Sequence, residues 1–159
     1  MVEAHVDDIK SAINAILLQI KKLTRENEIS NFTTYDSEIK GLYNAAQNTI
    51  SMLDDDSELD DLSYQIAISS AENGFFNEAL TINEKISNKG YKNSVSKNIP
   101  LLALKKRMYK DAIDLSEKIA IEKLKIETQL IMAPLLTKNG YKTEADNFVQ
   151  NWIKDNIRL

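Results

Sequence analysis

Apolar positions in the C-terminal two-thirds of the chain follow a helical period, and the pattern recurs every 33 residues. Each copy carries an acidic residue followed by an alanine, and the alanines are Ala79, Ala112 and Ala145. Large apolar residues stand three and seven positions later, which places them on the same helix face as the alanine. They are Ile82 and Ile86, Leu115 and Ile119, and Phe148 and Trp152. The pattern predicts three copies of one helix, in which the small alanine lets a neighbouring helix approach closely.

Another helix is predicted before each of these, so that one copy consists of a first helix, a turn and a second helix. Gly74 and Gly140 suit the turn, because positive φ is cheap only for glycine. Arg107 stands at the equivalent place in the middle copy, which predicts a different turn geometry there. The predicted first helices cover residues 59–73, 94–106 and 124–138, and the second helices cover 76–88, 109–122 and 142–155.

A degenerate fourth copy is predicted one step earlier in the chain. Gly41 and Ala46 keep the 33-residue register with Gly74 and Ala79. The first helix of this copy would fall at residues 29–39, but that stretch is polar and rich in Thr, Ser and Asn. A loop or a short distorted helix is therefore expected there.

The N-terminal apolar residues are spaced alternately by four and three positions over three heptads, which predicts a helix at residues 1–27. Two roles for this helix stay open. Ala12, Leu17 and Leu18 widen its apolar face, which suits a cap on the first repeat. A heptad seam also suits a homodimer. The seam residues are Val6, Ile9, Ile13, Ile16 and Ile20, with Val2 and Leu23 at its ends.

A glycine and an aromatic residue, then a Glu-Ala pair, with apolar residues three and seven after the alanine, resemble the turn and second helix of tetratricopeptide repeats; the copies at Gly74 and Gly140 carry this pattern. The resemblance covers roughly residues 41–155. The period is 33 residues instead of about 34, and the proline that ends each repeat is missing. The resemblance implies an all-α protein, an α-solenoid of antiparallel helix pairs in a right-handed superhelix, with the N-terminal helix as its cap.

The expected organisation is a single compact domain with three parts. They are the heptad-patterned helix at 1–27, a degenerate first repeat with an acidic loop at 28–58, and three two-helix repeats at 59–159.

The resemblance also implies a concave groove lined by the first helices. Its mixed apolar and basic character would suit a peptide or helical segment with apolar anchors and acidic flanks. The alternative is that Leu101, Leu104 and Leu130 are simply core residues. The candidate groove residues are Tyr64, Ile68, Lys97, Leu101, Leu104, Lys105, Leu130 and Lys138, with Ala71 and Pro134 beside them.

Few residues suited to catalysis or metal binding are present. The chain has no cysteine, which excludes disulfides and thiolate chemistry, and His5 is its one histidine. The acidic run 54–61 resembles a calcium loop, but Leu59 and Gln65 occupy the positions where such a loop needs Gly and Glu. Ser57 is expected to cap the helix that follows the run. No catalytic residue, no metal and no cofactor is therefore predicted, and the chain is not expected to be an enzyme.

Charge is distributed unevenly over a chain whose net charge is −4. Residues 1–61 hold five Lys or Arg and thirteen Asp or Glu, whereas residues 85–125 hold eleven and four. The uneven charge can simply reflect helix faces exposed to solvent. The functional alternative is that residues 85–125 form a basic surface for an acidic partner. The net charge argues against nucleic acid, and the absence of a long apolar run or leader argues against a membrane and for the cytoplasm.

These observations predict a protein-binding module, adaptor or chaperone-like, whose partner is another protein or peptide. Two alternatives stay open. One is a self-assembling scaffold in which the acidic part of one copy meets the basic part of another, and the other is a secreted effector that masks a partner protein.

Overall fold

The computed structural model describes residues 2–29 and 34–157, except for the side chains of residues 2–5 and 56. Within these ranges the chain forms eight α-helices and no β-strand, which confirms the prediction of an all-α protein. The helices are α1 (Val2–Ile29), α2 (Asp36–Ile50), α3 (Asp56–Glu72), α4 (Phe76–Glu84), α5 (Lys89–Lys105), α6 (Tyr109–Glu117), α7 (Glu122–Lys138) and α8 (Lys142–Asn156).

The helix bounds recur at the spacing of the sequence pattern. Helices α3, α5 and α7 each span 17 residues and begin 33 residues apart, and α4, α6 and α8 begin at the same spacing. Helix α5 begins at Lys89, earlier than the predicted residue 94. The cause is local, because Asn88 Oδ1 accepts a hydrogen bond from Tyr91 N at 3.0 Å and satisfies a free amide of the first turn. Helices α4 and α6 end a few residues earlier than predicted, at Glu84 and Glu117.

Three turns, after α3, α5 and α7, share one backbone geometry. In each turn a residue with positive φ follows the helix end, at Gly74 (83°), Arg107 (63°) and Gly140 (92°). The prediction of a different middle turn is therefore wrong, because the closing hydrogen bonds hold Arg107 in the same left-handed conformation. These bonds run from Phe75 N to Ser70 O, from Met108 N to Ala103 O and from Tyr141 N to Leu136 O, at 2.9, 3.0 and 3.0 Å.

Substitutions at equivalent positions of the three turns are expected to change the free energy of unfolding in opposite directions. Arg107→Gly is expected to raise the free energy of unfolding by about 1 kcal/mol, because the change removes the Cβ that disfavours positive φ. Gly74→Ala and Gly140→Ala are expected to lower it by about 1 kcal/mol. A Cβ at either glycine would meet nothing within 4 Å, so the backbone conformation alone sets the cost. Urea denaturation of the three variants measures both signs, and destabilisation by Arg107→Gly would contradict the prediction.

The predicted fourth copy is only partly matched by the structure. Helix α1 continues to Ile29 and α2 begins at Asp36, so the predicted loop at residues 29–39 is shorter than expected; residues 30–33 lie outside the described residues. Gly41 lies inside α2, so it does not stand at a turn as Gly74 does. The early start of α2 has a tertiary cause, because Ile39 is completely buried in an otherwise polar stretch.

The alanine positions of the repeat pattern are buried in all four copies. Ala46, Ala79 and Ala112 have no exposed surface, and Ala145 is 1% exposed. They lie on α2, α4, α6 and α8, the helices that carry the apolar residues three and seven positions later in the pattern. No space for a larger side chain is therefore left at these four positions.

The chain divides into two compact units, Met1–Val95 and Ser96–Leu159, so that the division falls inside α5 and at neither of the predicted boundaries, 27/28 and 58/59. In the first unit α1 contacts α2 and α3, α2 contacts α3, and α3 contacts α4. In the second unit α7 contacts both α6 and α8. Each unit has buried apolar side chains of its own, with Ile66 in the first and Met132 in the second among those without exposed surface.

Candidate functional site

Tyr64 and Ile68, the two predicted groove residues of the first unit, line a groove of about 580 Å³ between α1 and α3. Both side chains are half-buried, so part of each is open to a ligand. We call this cavity the α1–α3 groove. Helix α1 contributes Leu17, Ile20, Lys21, Thr24 and Glu28, and α3 with the residue after it contributes Tyr64, Gln65, Ile68, Ser69, Glu72 and Asn73.

A polar network joins α1 to the end of α3 along one side of the groove. Thr24 Oγ1 lies 2.7 Å from Asn73 Oδ1 and 2.8 Å from Ile20 O, and its single proton is donated to one of the two. Asn73 Nδ2 donates to Tyr43 Oη at 2.7 Å, and Tyr43 Oη lies 2.7 Å from Ser69 Oγ. The network holds α1, α2 and α3 in register through side-chain hydrogen bonds.

Tyr43 is the buried centre of this network. It has no exposed surface, and its ring meets that of Phe75 edge to face with 5.7 Å between the centroids. Burial raises the pKa of the Tyr43 phenol, although the hydrogen bonds with Ser69 and Asn73 act in the opposite direction. The phenol is therefore neutral at physiological pH and acts as a structural hydrogen-bonding group.

Tyr64 also contacts two residues in the first half of α5, Tyr91 and Ser94. Its ring lies 4.9 Å from that of Tyr91, centroid to centroid, at an interplanar angle of 31°. Its hydroxyl is 3.4 Å from Ser94 Oγ. Because these contacts restrict the rotamer of Tyr64, the groove has a rigid aromatic edge.

The predicted N-terminal seam lies partly within the packing of the first unit. Ile9, Ile13 and Ile20 are buried, and Val6 and Ile16 are half-buried. Helix α1 packs on α2 and α3, and Lys10 Nζ also pairs with Glu58 Oε2 on α3 at 2.8 Å. A homodimer through the same seam would have to displace this packing. The side chains of Val2 and His5 lie outside the described residues.

Three of the predicted groove residues of the second unit line a smaller cavity of about 420 Å³. They are Leu104, Lys105 and Lys138, although Leu104 is mostly buried, at 7% exposed. Residues that the sequence analysis missed complete the lining: Arg107, Tyr109, Leu135 and Asn139. We call this cavity the Arg107 pocket.

The other candidate groove residues differ in exposure. Lys97 and Leu101 on α5 and Leu130 on α7 are half-buried, and Pro134 is exposed. Ala71 has no exposed surface, so the prediction that it borders the groove is wrong. Whether a first-helix side chain is exposed depends on which helices pack around it. The 33-residue register alone does not predict those neighbours.

Two carboxylates of the acidic run 54–61 accept hydrogen bonds from backbone amides within the first unit. Asp55 Oδ1 accepts a hydrogen bond from Glu58 N at 3.0 Å, so Asp55 caps α3, and the predicted cap by Ser57 is wrong. The carboxylate of Asp60 is buried and accepts hydrogen bonds from Ser87 N at 2.9 Å and Asn88 N at 2.7 Å. These carboxylates therefore bind backbone amides of the chain itself.

Metal-binding clusters and membrane-spanning helices are both absent from the part of the chain that the structure describes. No group of three or more His, Cys, Asp or Glu side chains there is arranged to hold a metal ion. None of the helices described has both the length and the apolar character needed to cross a membrane. Comparison of the chain with protein-family models, with curated proteins and with solved structures gives no match.

Proposed function

We propose that this chain is a helical-repeat protein-binding module, adaptor or chaperone-like, and that the α1–α3 groove binds a segment of another protein. In this proposal the helices form an α-solenoid of antiparallel pairs similar to tetratricopeptide repeats, with α1 as the first helix. The shared bounds and turns at the 33-residue spacing support the repeat arrangement. Repeats of this kind present extended binding surfaces.

The observation that carries the proposal is the lining of the α1–α3 groove. Leu17 lies on α1, and Tyr64 and Ile68 lie on α3, and all three are half-buried, so both sides of the groove offer apolar surface. Lys21, Gln65 and Glu72 add polar groups to the same lining. Apolar side chains with a few polar groups that fix orientation are typical of sites that bind a peptide or an amphipathic helix.

The ligand that fits this lining is a short segment with one or two apolar anchors. An apolar anchor that enters the groove would contact Ile68 and Leu17, and the amide of Gln65 could bond to its backbone. Lys21, Glu28 and Glu72 give the groove both signs of charge, so the α1–α3 groove sets no preference for a strongly charged ligand.

Two neighbouring leucines on α1 provide a matched test of the proposal. Leu17 is half-buried and lines the α1–α3 groove, whereas Leu18 is 70% exposed and is not among its lining residues. Peptides selected from a displayed library on the full chain are expected to bind Leu17→Glu at least about tenfold more weakly, because an apolar anchor loses its contact. Leu18→Glu is expected to keep the affinity of the parent chain. Fluorescence anisotropy with one selected peptide measures both.

Ile68→Ala provides a second, milder test from the α3 side of the groove. It is expected to weaken the same peptides, and circular dichroism verifies that each variant stays helical. If the library yields no binder, or if Leu17→Glu and Ile68→Ala both bind the selected peptides as the parent chain does, the proposal is wrong.

A further inference from the structure

Arg107 occupies a backbone position that the rest of the pattern gives to glycine. Its φ is 63°, and the equivalent residues 33 positions away on either side are Gly74 and Gly140, with φ of 83° and 92°. The left-handed region is costly for any residue with a Cβ, and arginine gains nothing there from its backbone. A non-glycine residue held in such a conformation points to a use for its side chain.

The side chain of Arg107 lines the Arg107 pocket together with two lysines. Lys105 and Lys138 are themselves 33 residues apart, in the last turns of α5 and α7. None of the described residues that line this pocket is acidic. Among the residues that the structure describes, Arg107, Lys105 and Lys138 form no ion pair. Three positive charges therefore share one cavity without a negative partner among the residues described.

The favourable interaction of cations with the C-terminal ends of helices explains the two lysines of this cluster but not the arginine. Lys105 and Lys138 are favoured by the negative C-terminal ends of their helices. Arg107 lies beyond the end of α5, in the turn, where glycine would satisfy the backbone better. The turn after α3 gives an internal comparison, because it carries Glu72 and Gly74 where the middle turn carries Lys105 and Arg107. Only the arginine is therefore particular to the middle turn, because the turn after α7 keeps a lysine, Lys138, at the position of Lys105 and a glycine at that of Arg107.

We propose that the Arg107 pocket binds an acidic segment of another protein. The planar guanidinium of Arg107 can bond to both oxygens of an aspartate or glutamate, and the two lysines add further positive charge to the same cavity. Leu135 and Tyr109 give apolar surface next to these cations, which suits an acidic peptide with an apolar residue among its carboxylates. A nucleic acid is disfavoured because the chain as a whole has a net charge of −4. The pocket lies within Ser96–Leu159, and its proposed role does not depend on that of the α1–α3 groove.

Arg107→Gly tests this inference cleanly, because loss of binding cannot be attributed to loss of the fold. The probe is a fluorescently labelled ten-residue peptide of Asp, Glu and Leu, titrated with the full chain at low salt. Arg107→Gly is expected to weaken binding roughly fivefold, since one charge-assisted pair is lost. The same substitution is expected to raise the thermal midpoint. Lys138→Gln is expected to weaken binding to a similar degree.

Lys123→Gln is the control for net charge. Lys123 is exposed in the first turn of α7, about 22 Å along the helix from Lys138 at 1.5 Å per residue. Parent-like binding by this variant, with weaker binding by Arg107→Gly and Lys138→Gln, supports the pocket. Equal losses in all three variants, unchanged binding by Arg107→Gly, or tighter binding of a ten-nucleotide oligouridylate than of the peptide would overturn it. The library peptides of the α1–α3 groove are expected to bind Arg107→Gly as they bind the parent chain, so the two proposals can fail separately.

Discussion

Replacing Asp60 with alanine is expected to lower the free energy of unfolding of the first unit by about 2 to 3 kcal/mol. Asp60 lies on α3 and is 5% exposed. Its two carboxylate oxygens accept hydrogen bonds from Ser87 N and Asn88 N, so it ties α3 to the segment between α4 and α5. Hydrogen bonds to a charged group contribute about 1.5 to 3 kcal/mol each, but Ser87 and Asn88 are exposed, so water replaces part of what the two amides lose and the loss is smaller than the sum of both bonds.

The substitution also affects the start of α5, because the amide of Asn88 is one of the two donors. Asn88 in turn caps α5 through its side chain. Loss of the Asp60 carboxylate therefore loosens the residue that begins this helix. Amide hydrogen exchange is expected to become faster around residues 86–92 before it does so in the middle of α3.

Asp60→Asn and Asp54→Ala are the matched controls for this prediction. Asparagine keeps the shape of the side chain but has one acceptor oxygen, so Asp60→Asn is expected to cost roughly half as much. Asp54 is exposed, and its removal is expected to change the free energy by less than about 0.5 kcal/mol. Urea denaturation followed by circular dichroism compares the three variants. Equal stability of Asp60→Ala and Asp54→Ala would show that the buried carboxylate is not a structural link.

The repeat pattern predicted the helices well, because the information lies in positions close together along the chain. An alanine with apolar residues three and seven positions later defines one helix face, and a glycine at positive φ marks the end of the preceding helix. The start of α5 was missed although Asn88 is a good N-cap residue. The start of α2 could not be found from the residues around it, because Ile39 is buried and α2 packs against α1 and α3.

The candidate site was predicted only in part for a similar reason. The register placed Tyr64 and Ile68 on a free face of the first helix, and the structure places both in the α1–α3 groove. It could not indicate that Leu17 and Ile20 form the opposite side, because the sequence does not show which helix packs against α3. Arg107 departs visibly from the repeat pattern in the sequence, since the other two copies have glycine at this position. The missing glycine predicted a different turn, whereas the turn is the same and only the side chain differs.

Enlarging the alanine of the repeat is expected to destabilise the second unit about as strongly as the loss of Asp60 destabilises the first. Ala145 on α8 is 1% exposed, and α8 packs against α7. Ala145→Leu would place three further carbon atoms in a site without free volume, so the helices must move apart or the side chain must take a strained rotamer. Overpacking of this kind costs about 1 to 3 kcal/mol. Trp152 lies seven residues later on the same helix, so its fluorescence during urea denaturation reports the effect directly.

Asn147→Leu separates overpacking from the chemical nature of the new side chain. Asn147 is exposed on the same helix, and leucine has a higher helix propensity than asparagine, so this variant is expected to be as stable as the parent or slightly more stable. Ala79→Leu and Ala112→Leu should repeat the loss seen with Ala145→Leu, because the three alanines occupy equivalent and fully enclosed positions. If all three alanine variants kept the parent stability, close helix approach at these positions would not be what the 33-residue pattern encodes. A loss at one alanine but not at its equivalents would instead show that the copies pack differently despite their common register.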